Sequence, residues 1–328
     1  MRVQAEQIAR ASDQAGAPDS VNSDVSSQIC NFRLSRALSP YFTSLYWFSI
    51  KSPRGAYLRD YFPPECASLR FVQDGRRGQA SIVPGDFAAY GPIAVSGPTS
   101  RAIRVALPEM RFVSFGLRPA GWARFVQTPA SEFANSVVDG TQPDFALFTP
   151  LLGELCAAGA DPHAAAQRID ACLLELHERM PPAPPLVLAC QDALSDPNMC
   201  EVDHLCERVG TSRRTLERLC VRYFAFAPKT LLRRQRFLRS LGRFMTDTRD
   251  TWSAALDTDY FDQAHFVRDF RSFMGITPSE FAEMPHPLLD KIIAQRMADQ
   301  GALPGREAMP AGSRCVGADT GGVMRLAV

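Results

Sequence analysis

No apolar run in this chain reaches the roughly 18 residues that a membrane-crossing helix needs, so no membrane partner is expected. The N-terminus lacks the apolar core of a secretory leader and instead mixes acids with arginines; the expected location is the cytoplasm. The nine cysteines include no CxxC pair, and in a reducing compartment they read as small buried hydrophobes. Cys200, His204, Cys206 and Cys220 can be written as a ligand set, but their spacing matches no common zinc pattern, and two of these cysteines fall on apolar helix faces. No metal is expected. Histidine is scarcest: none of the five precedes His163. The first half therefore lacks the inward imidazoles of a β-barrel metalloenzyme, and it lacks a base to activate any of its serines. No catalytic residue and no cofactor is expected.

The 328 residues suggest about two domains, and a content of 46% hydrophobic and 22% charged residues is that of a globular protein. Net charge is only +1, but it is unevenly spread. Between Arg208 and Arg243 stand ten arginines and one lysine against one acid, Glu217. That segment carries +10 and the rest −9, an asymmetry that points to an anionic partner for one part of the chain.

Residues 1–29 are polar and read as a disordered arm. Residues 30–180 read as a β-rich domain with helices. Tyr46-Trp47-Phe48, Leu69 to Val72, Ala80 to Val83 and Phe112 to Phe115 are short β-branched or aromatic runs separated by Pro and Gly turn signals, the pattern of a sandwich or barrel. Pro84-Gly85-Asp86 is expected to turn with Gly85 at positive φ. Helices follow, over Pro143 to Ala157 and His163 to Met180. The second carries an apolar stripe, Ala165, Ile169, Cys172, Leu173, Leu176 and Met180, which packs on the β-domain or forms a dimer seam. Effector sensing or dimerisation is the expected role of this domain. Four prolines within residues 181–185 mark a linker. Residues 186–284 form the second domain, and 285–328 are expected to be a disordered tail.

The second domain contains one pattern twice, 50 positions apart. Leu216 matches Phe266, Arg218 matches Arg268, Cys220 matches Phe270, Pro228 matches Pro278 and Leu231 matches Phe281. Ser212 and Asp262, both helix N-cap types, open the copies. In the first copy a stripe of Val202, Leu205, Cys206 and Val209 is broken by Gly210. The next helix turns Leu216, Leu219, Cys220 and Tyr223 inward and Arg213, Arg214, Glu217, Arg218 and Arg222 outward. Two helices joined by a short Gly-containing turn, the second one basic, are a helix-turn-helix pattern. Arginine suits guanine O6 and N7 in the major groove, and the flanking cations suit phosphates. The second copy opens with Trp252, Ala255 and Leu256. Its next helix leaves Gln263, Ala264, Val267, Arg268 and Arg271 outward, with Gln263 suited to adenine and Arg268 to guanine. Thr277-Pro278-Ser279-Glu280 reads as a capping box. Lys229 to Phe244 reads as a connecting helix about 24 Å long, enough to hold two reading helices near one DNA turn, about 34 Å, apart.

Positions 199–284 resemble the DNA-binding domain of the AraC/XylS family of bacterial transcription regulators. The strings that carry the resemblance are Leu205 to Leu219, Arg236-Phe237, and Asp262-Gln263-Ala264-His265-Phe266 through Gly275-Ile276-Thr277-Pro278. Gly116 to Gly121, followed by Trp122 to Val138, more faintly resembles the sensor region of a subset of these regulators. The resemblance implies an all-α domain of seven helices with two helix-turn-helix units, double-stranded promoter DNA as partner, and base reading by Arg214, Glu217 and Arg218 and by Gln263, Ala264, Val267 and Arg268. A small-molecule effector, RNA polymerase and a second copy of the chain are further candidate partners. The family's usual glycines are replaced here by Ala225 and Asp259. The expected whole is an α+β protein, a β-rich sensor domain followed by an all-α domain, acting as a sequence-specific regulator and not as an enzyme. The alternative is a DNA-repair or other enzyme that uses the module for delivery. It would need a clustered reactive cysteine, and Cys30 and Cys66 stand alone in the first 150 residues.

Overall fold

A computed structural model describes residues 25–53, 55–246, 260, 262–300 and 314–316. The expected arm therefore lies almost wholly outside the described residues, except that its last four residues belong to strand β1 (Ser26–Phe32).

The N-terminal half is two facing antiparallel sheets. The larger runs in the order β10 (Val137–Asp139), β7 (Ile93–Ser96), β4 (Ala67–Val72), β9 (Met110–Leu117), β2 (Phe42–Lys51), β1 and β11 (Arg314–Val316). The smaller runs β3 (Leu58–Phe62), β8 (Ile103–Leu107), β5 (Gln79–Ile82) and β6 (Ala88–Ala89). The four aromatic and β-branched runs fall in β2, β4, β5 and β9 as expected. β2 and β9 read as nearly unbroken apolar runs because both of their faces are covered. Tyr46, Phe48, Ile50, Met110 and Phe112 join the core shared with the smaller sheet. Leu45, Trp47, Val113, Phe115 and Leu117 point the other way, into a core shared with helices. Phe48 and Phe112, paired across the two strands, stack with ring centroids 4.4 Å apart.

The Pro84-Gly85 turn differs from expectation. Gly85 is not at positive φ; the turn follows a cis Val83–Pro84 bond and closes through Gly85 N–H donating to Ile82 O at 2.6 Å. The expected helix over Pro143 to Ala157 is a 3-10 turn, Pro143–Phe148, followed by helix α2 (Pro150–Ala157), with α1 (Pro119–Phe125) earlier. The apolar stripe of α3 (Pro162–Arg179) is spent on packing: Ala165, Ile169 and Leu173 are fully buried in the sheet–helix core.

Around the Pro-rich run the chain stays in contact with the core. Ala183 is buried, and α4 (Pro185–Ser195) starts at once. Gln191 on α4 accepts from Ala120 N–H at 3.0 Å and donates to Pro40 O at 2.9 Å. One apolar core thus continues from the larger sheet through Val187 and Cys190 to Leu205, Leu216, Phe224 and Leu231 in the helical region.

The tail also departs from expectation. Leu289–Gln300 is a helix, α10, and Arg314–Val316 pairs with β1 as β11. Leu288 and Ile292 enter the core between the sheets. The N-terminus of α10 is held from a distant strand: the Asp60 carboxylate of β3 accepts from Leu288 N–H at 2.7 Å and Leu289 N–H at 2.9 Å. A cap 228 positions away leaves no local sign in the sequence.

The cysteines are not uniformly buried thiols. Cys190 and Cys220 are buried, with sulfurs 3.9 Å apart, and that hydrogen bond, with burial, raises the Cys220 pKa. Cys156 and Cys200 are exposed, and Cys30 is disulfide-bonded. No described helix is long and apolar enough to cross a membrane.

Candidate nucleic-acid interface

The first helix pair is α5 (Val202–Val209) and α6 (Arg213–Phe224). Between them Gly210 sits at φ 71°, left-handed backbone that suits glycine. Ser212 is extended and caps α6: its hydroxyl accepts from Thr215 N–H at 3.4 Å and donates to Thr215 Oγ1 at 3.0 Å. Ser212 is therefore engaged in building the turn. Leu216, Leu219, Cys220 and Phe224 are buried, while Arg213, Arg214, Glu217, Arg218 and Arg222 are all exposed. Arg213 is loosely tethered, 3.3 Å from Asp203 and 3.6 Å from Glu217.

The matching helix of the second copy is α8, Gln263–Met274. Like α6 it has 12 residues, begins after a side-chain cap and ends at a left-handed residue. Asp262 accepts from His265 N–H at 2.6 Å, and Gly275 closes the helix at φ 76°. Ala225 closes α6 at φ 71°, so this alanine adopts the backbone for which the family uses glycine. Phe266, Phe270 and Phe273 are buried; Gln263, Ala264, Arg268 and Arg271 are exposed and Val267 is half-buried. Thr277 and Glu280 form the reciprocal capping box of α9 (Pro278–Glu283). Trp252, Ala255, Leu256 and Asp259, expected to form the preceding helix and turn, lie outside the described residues.

Helix α7, Pro228–Thr246, connects the copies. Its 19 residues span about 28 Å. Its arginines divide by role. Arg233 and Arg236 grip Asp269 of α8 at 2.7 and 3.1 Å, with Tyr260 Oη donating to the same carboxylate at 3.2 Å. Burial, then the charge of Asp269, pushes the Tyr260 pKa up, so its phenol stays a donor. Arg234 is buried and points toward the β-domain, donating to Thr99 O at 2.8 Å. Counting eleven cations against one acid thus overstates the charge offered to a partner. Asp269 lies outside the counted segment and neutralises part of it, and Arg234 is internal. The sequence shows an acid inside the inward stripe Phe266, Phe270, Phe273, but not its partners, which stand 33 and 36 positions away.

The β-domain holds the far end of α8. A helix leaves its last carbonyls without intrahelical partners. Here Ala102 N–H donates to Phe273 O at 2.8 Å, the Arg101 guanidinium donates to Ser272 O, and the Tyr61 hydroxyl donates to Met274 O. Burial pushes the Tyr61 pKa up to about 12, which keeps it a donor. Val83 lies so close to Gly275 that a Cβ there would come within 2.4 Å of it. Nearby, His286 is buried against Asp60 at 3.4 Å and Phe281 O at 2.9 Å.

Residues 205–284 match the family described as a helix-turn-helix domain. The C-terminal helical region is an AraC-type helix-turn-helix domain. No curated protein matches the chain significantly. Among solved structures, ToxT from Vibrio cholerae O395 is 8% identical over 79% of this chain and 97% of its own, with a TM-score of 0.37. ToxT of strain SCE256 with an unsaturated fatty acid bound is 9% identical over 80% and 96%, at 0.37. The AraC-like transcriptional activator CuxR is 12% identical over 69% and 85%, at 0.28. Likeness at this level transfers no residue role. The AraC-type domain supports a DNA-binding transcription regulator; α6 and α8, with Ser212 directly before α6, carry the side chains expected to meet DNA.

Proposed function

We propose that the chain reads a specific DNA sequence with α6 and α8 in successive major-groove segments. One observation carries this reading: two equal helices, fixed to one connecting helix, turn Arg214, Glu217, Arg218 and Gln263, Ala264, Arg268 to solvent. Arg214, Glu217 and Arg218, and Gln263, Ala264, Val267 and Arg268, contact base edges. Arg213, Arg222 and Arg271 contact phosphates, and Ser212 holds the start of α6 at the backbone. The first helix, with four arginines to one acid on its outer face, supplies more of the affinity; the second acts through selectivity.

The β-domain controls the second helix. Its donors occupy the C-terminal carbonyls of α8, so an effector that moves the smaller sheet moves a reading helix with it. Selecting bound duplexes from a random pool tests the reading, with a two-segment site as the expected outcome.

A further inference from the structure

A cleft of ≈ 800 Å³ lies between the two reading helices. Its floor is one face of α7, with Lys229, Arg233, Arg236 and Arg239 at spacings that stack along a helix. One wall includes Arg213, the first residue of α6, and the other Arg268, on the outer face of α8. Six cationic side chains thus line the cleft, against the carboxylates of Glu201, Asp203 and Asp269. Asp269 is already saturated by Arg233, Arg236 and Tyr260. A duplex that touches both Arg213 at the start of α6 and Arg268 on α8 spans the cleft they line.

We propose that this cleft is a third DNA-contact element, in which α7 receives the sugar–phosphate backbone flanking the minor groove between the two major-groove segments. The inference rests on the DNA-reading function above and adds to it residues outside the helix-turn-helix units. Charge complementarity selects the occupant: the floor offers a row of cations in which Arg233 and Arg236 already spend their guanidinium forks on Asp269, which suits phosphates rather than base edges. Lys229 supplies an independent indication. It is the second residue of α7, directly after Pro228, and is exposed. A cation there faces the positive end of the helix dipole, an unfavourable site for folding alone. Local rules are broken chiefly at functional or strained sites.

The test uses the full-length protein, fluorescence anisotropy on its selected duplex and on an unrelated duplex, and a salt series. Lys229→Gln is expected to weaken binding to both duplexes alike and to lower the log–log salt slope by about one. Between 50 and 200 mM salt this variant should lose about threefold less affinity than the parent does. Its thermal midpoint should hold or rise, because the cation opposes the dipole; a purely structural lysine would lower it. Arg239→Gln should act the same way on the slope. Replacing the central phosphates of the selected duplex by neutral methylphosphonates should weaken the parent and erase its difference from Lys229→Gln. If both variants and the neutralised duplex leave affinity and slope unchanged, while the parent still prefers its selected duplex, the cleft does not touch DNA and the inference fails alone. A parent that binds neither duplex overturns the DNA-reading function itself.

Discussion

At Arg218 and Arg268 the two copies make the same chemical offer, an exposed guanidinium at matching positions of two twelve-residue helices. A bidentate arginine–guanine contact discriminates by about 1–3 kcal/mol. Arg218→Ala and Arg268→Ala are each expected to weaken binding by that amount on the selected duplex and to flatten sequence preference at one segment only. Competition with single-base variants reads this; equal loss on every sequence would make them phosphate contacts. Single residues also show what the sequence could reveal. Ser212, Asp262 and Thr277 were legible as caps because a capping side chain bonds to backbone within three positions. Asp269 and Arg234 were not, because their partners stand 33 to 36 and 135 positions away. A local charge count therefore misjudged the surface. Gly85 differs too: its φ is not positive, and it closes the turn by donating its N–H to Ile82 O.

Among the elements, α8 is held more heavily than α6, with its N-terminus capped by Asp262 and its C-terminus by the β-domain. Gly275 and Gly210 separate strain from contact. Both have positive φ, but a side chain at Gly210 meets nothing within 4 Å, whereas at Gly275 it meets Val83. Gly210→Ala is expected to cost about 1–2 kcal/mol through backbone strain alone. Gly275→Ala should cost more, and in a Val83→Ala background its cost should fall toward that of Gly210→Ala. A double-mutant cycle measured by denaturant unfolding checks this; additive effects would deny that the two domains meet there. Helices α5 to α9 were legible from period and caps. Helix α10 was not, since its short apolar run becomes meaningful only beside Asp60 and the sandwich core.

For the molecule as a whole, the smaller sheet, α10 and the second helical unit meet around His286. Burial alone would lower its pKa, but the bonds to Asp60 and Phe281 O and the charges of Asp60 and Asp290 outweigh burial and raise it above the ordinary 6.5. A raised folded value means that protonation favours the folded state. The stabilisation is complete below pH 6.5 and is lost as pH rises through the folded pKa. His177, lowered first by burial and then by Arg124, acts in the opposite sense and only below 6.5. Between pH 6.5 and 8 the thermal midpoint is therefore expected to fall, and His286→Gln to flatten that fall. An unchanged slope in the variant would remove His286 from the interdomain contact.

The central claim is that α6 and α8 read one duplex together, at the separation α7 imposes. Selection of bound duplexes from a random pool by the full-length chain, followed by sequencing, tests it most directly. The account predicts two short conserved segments centred about 10–10.5 base pairs apart on one face of the helix, with Arg218→Ala relaxing one segment and Arg268→Ala the other. Recovery of no enriched sequence, or of a single segment that both substitutions relax alike, would contradict it.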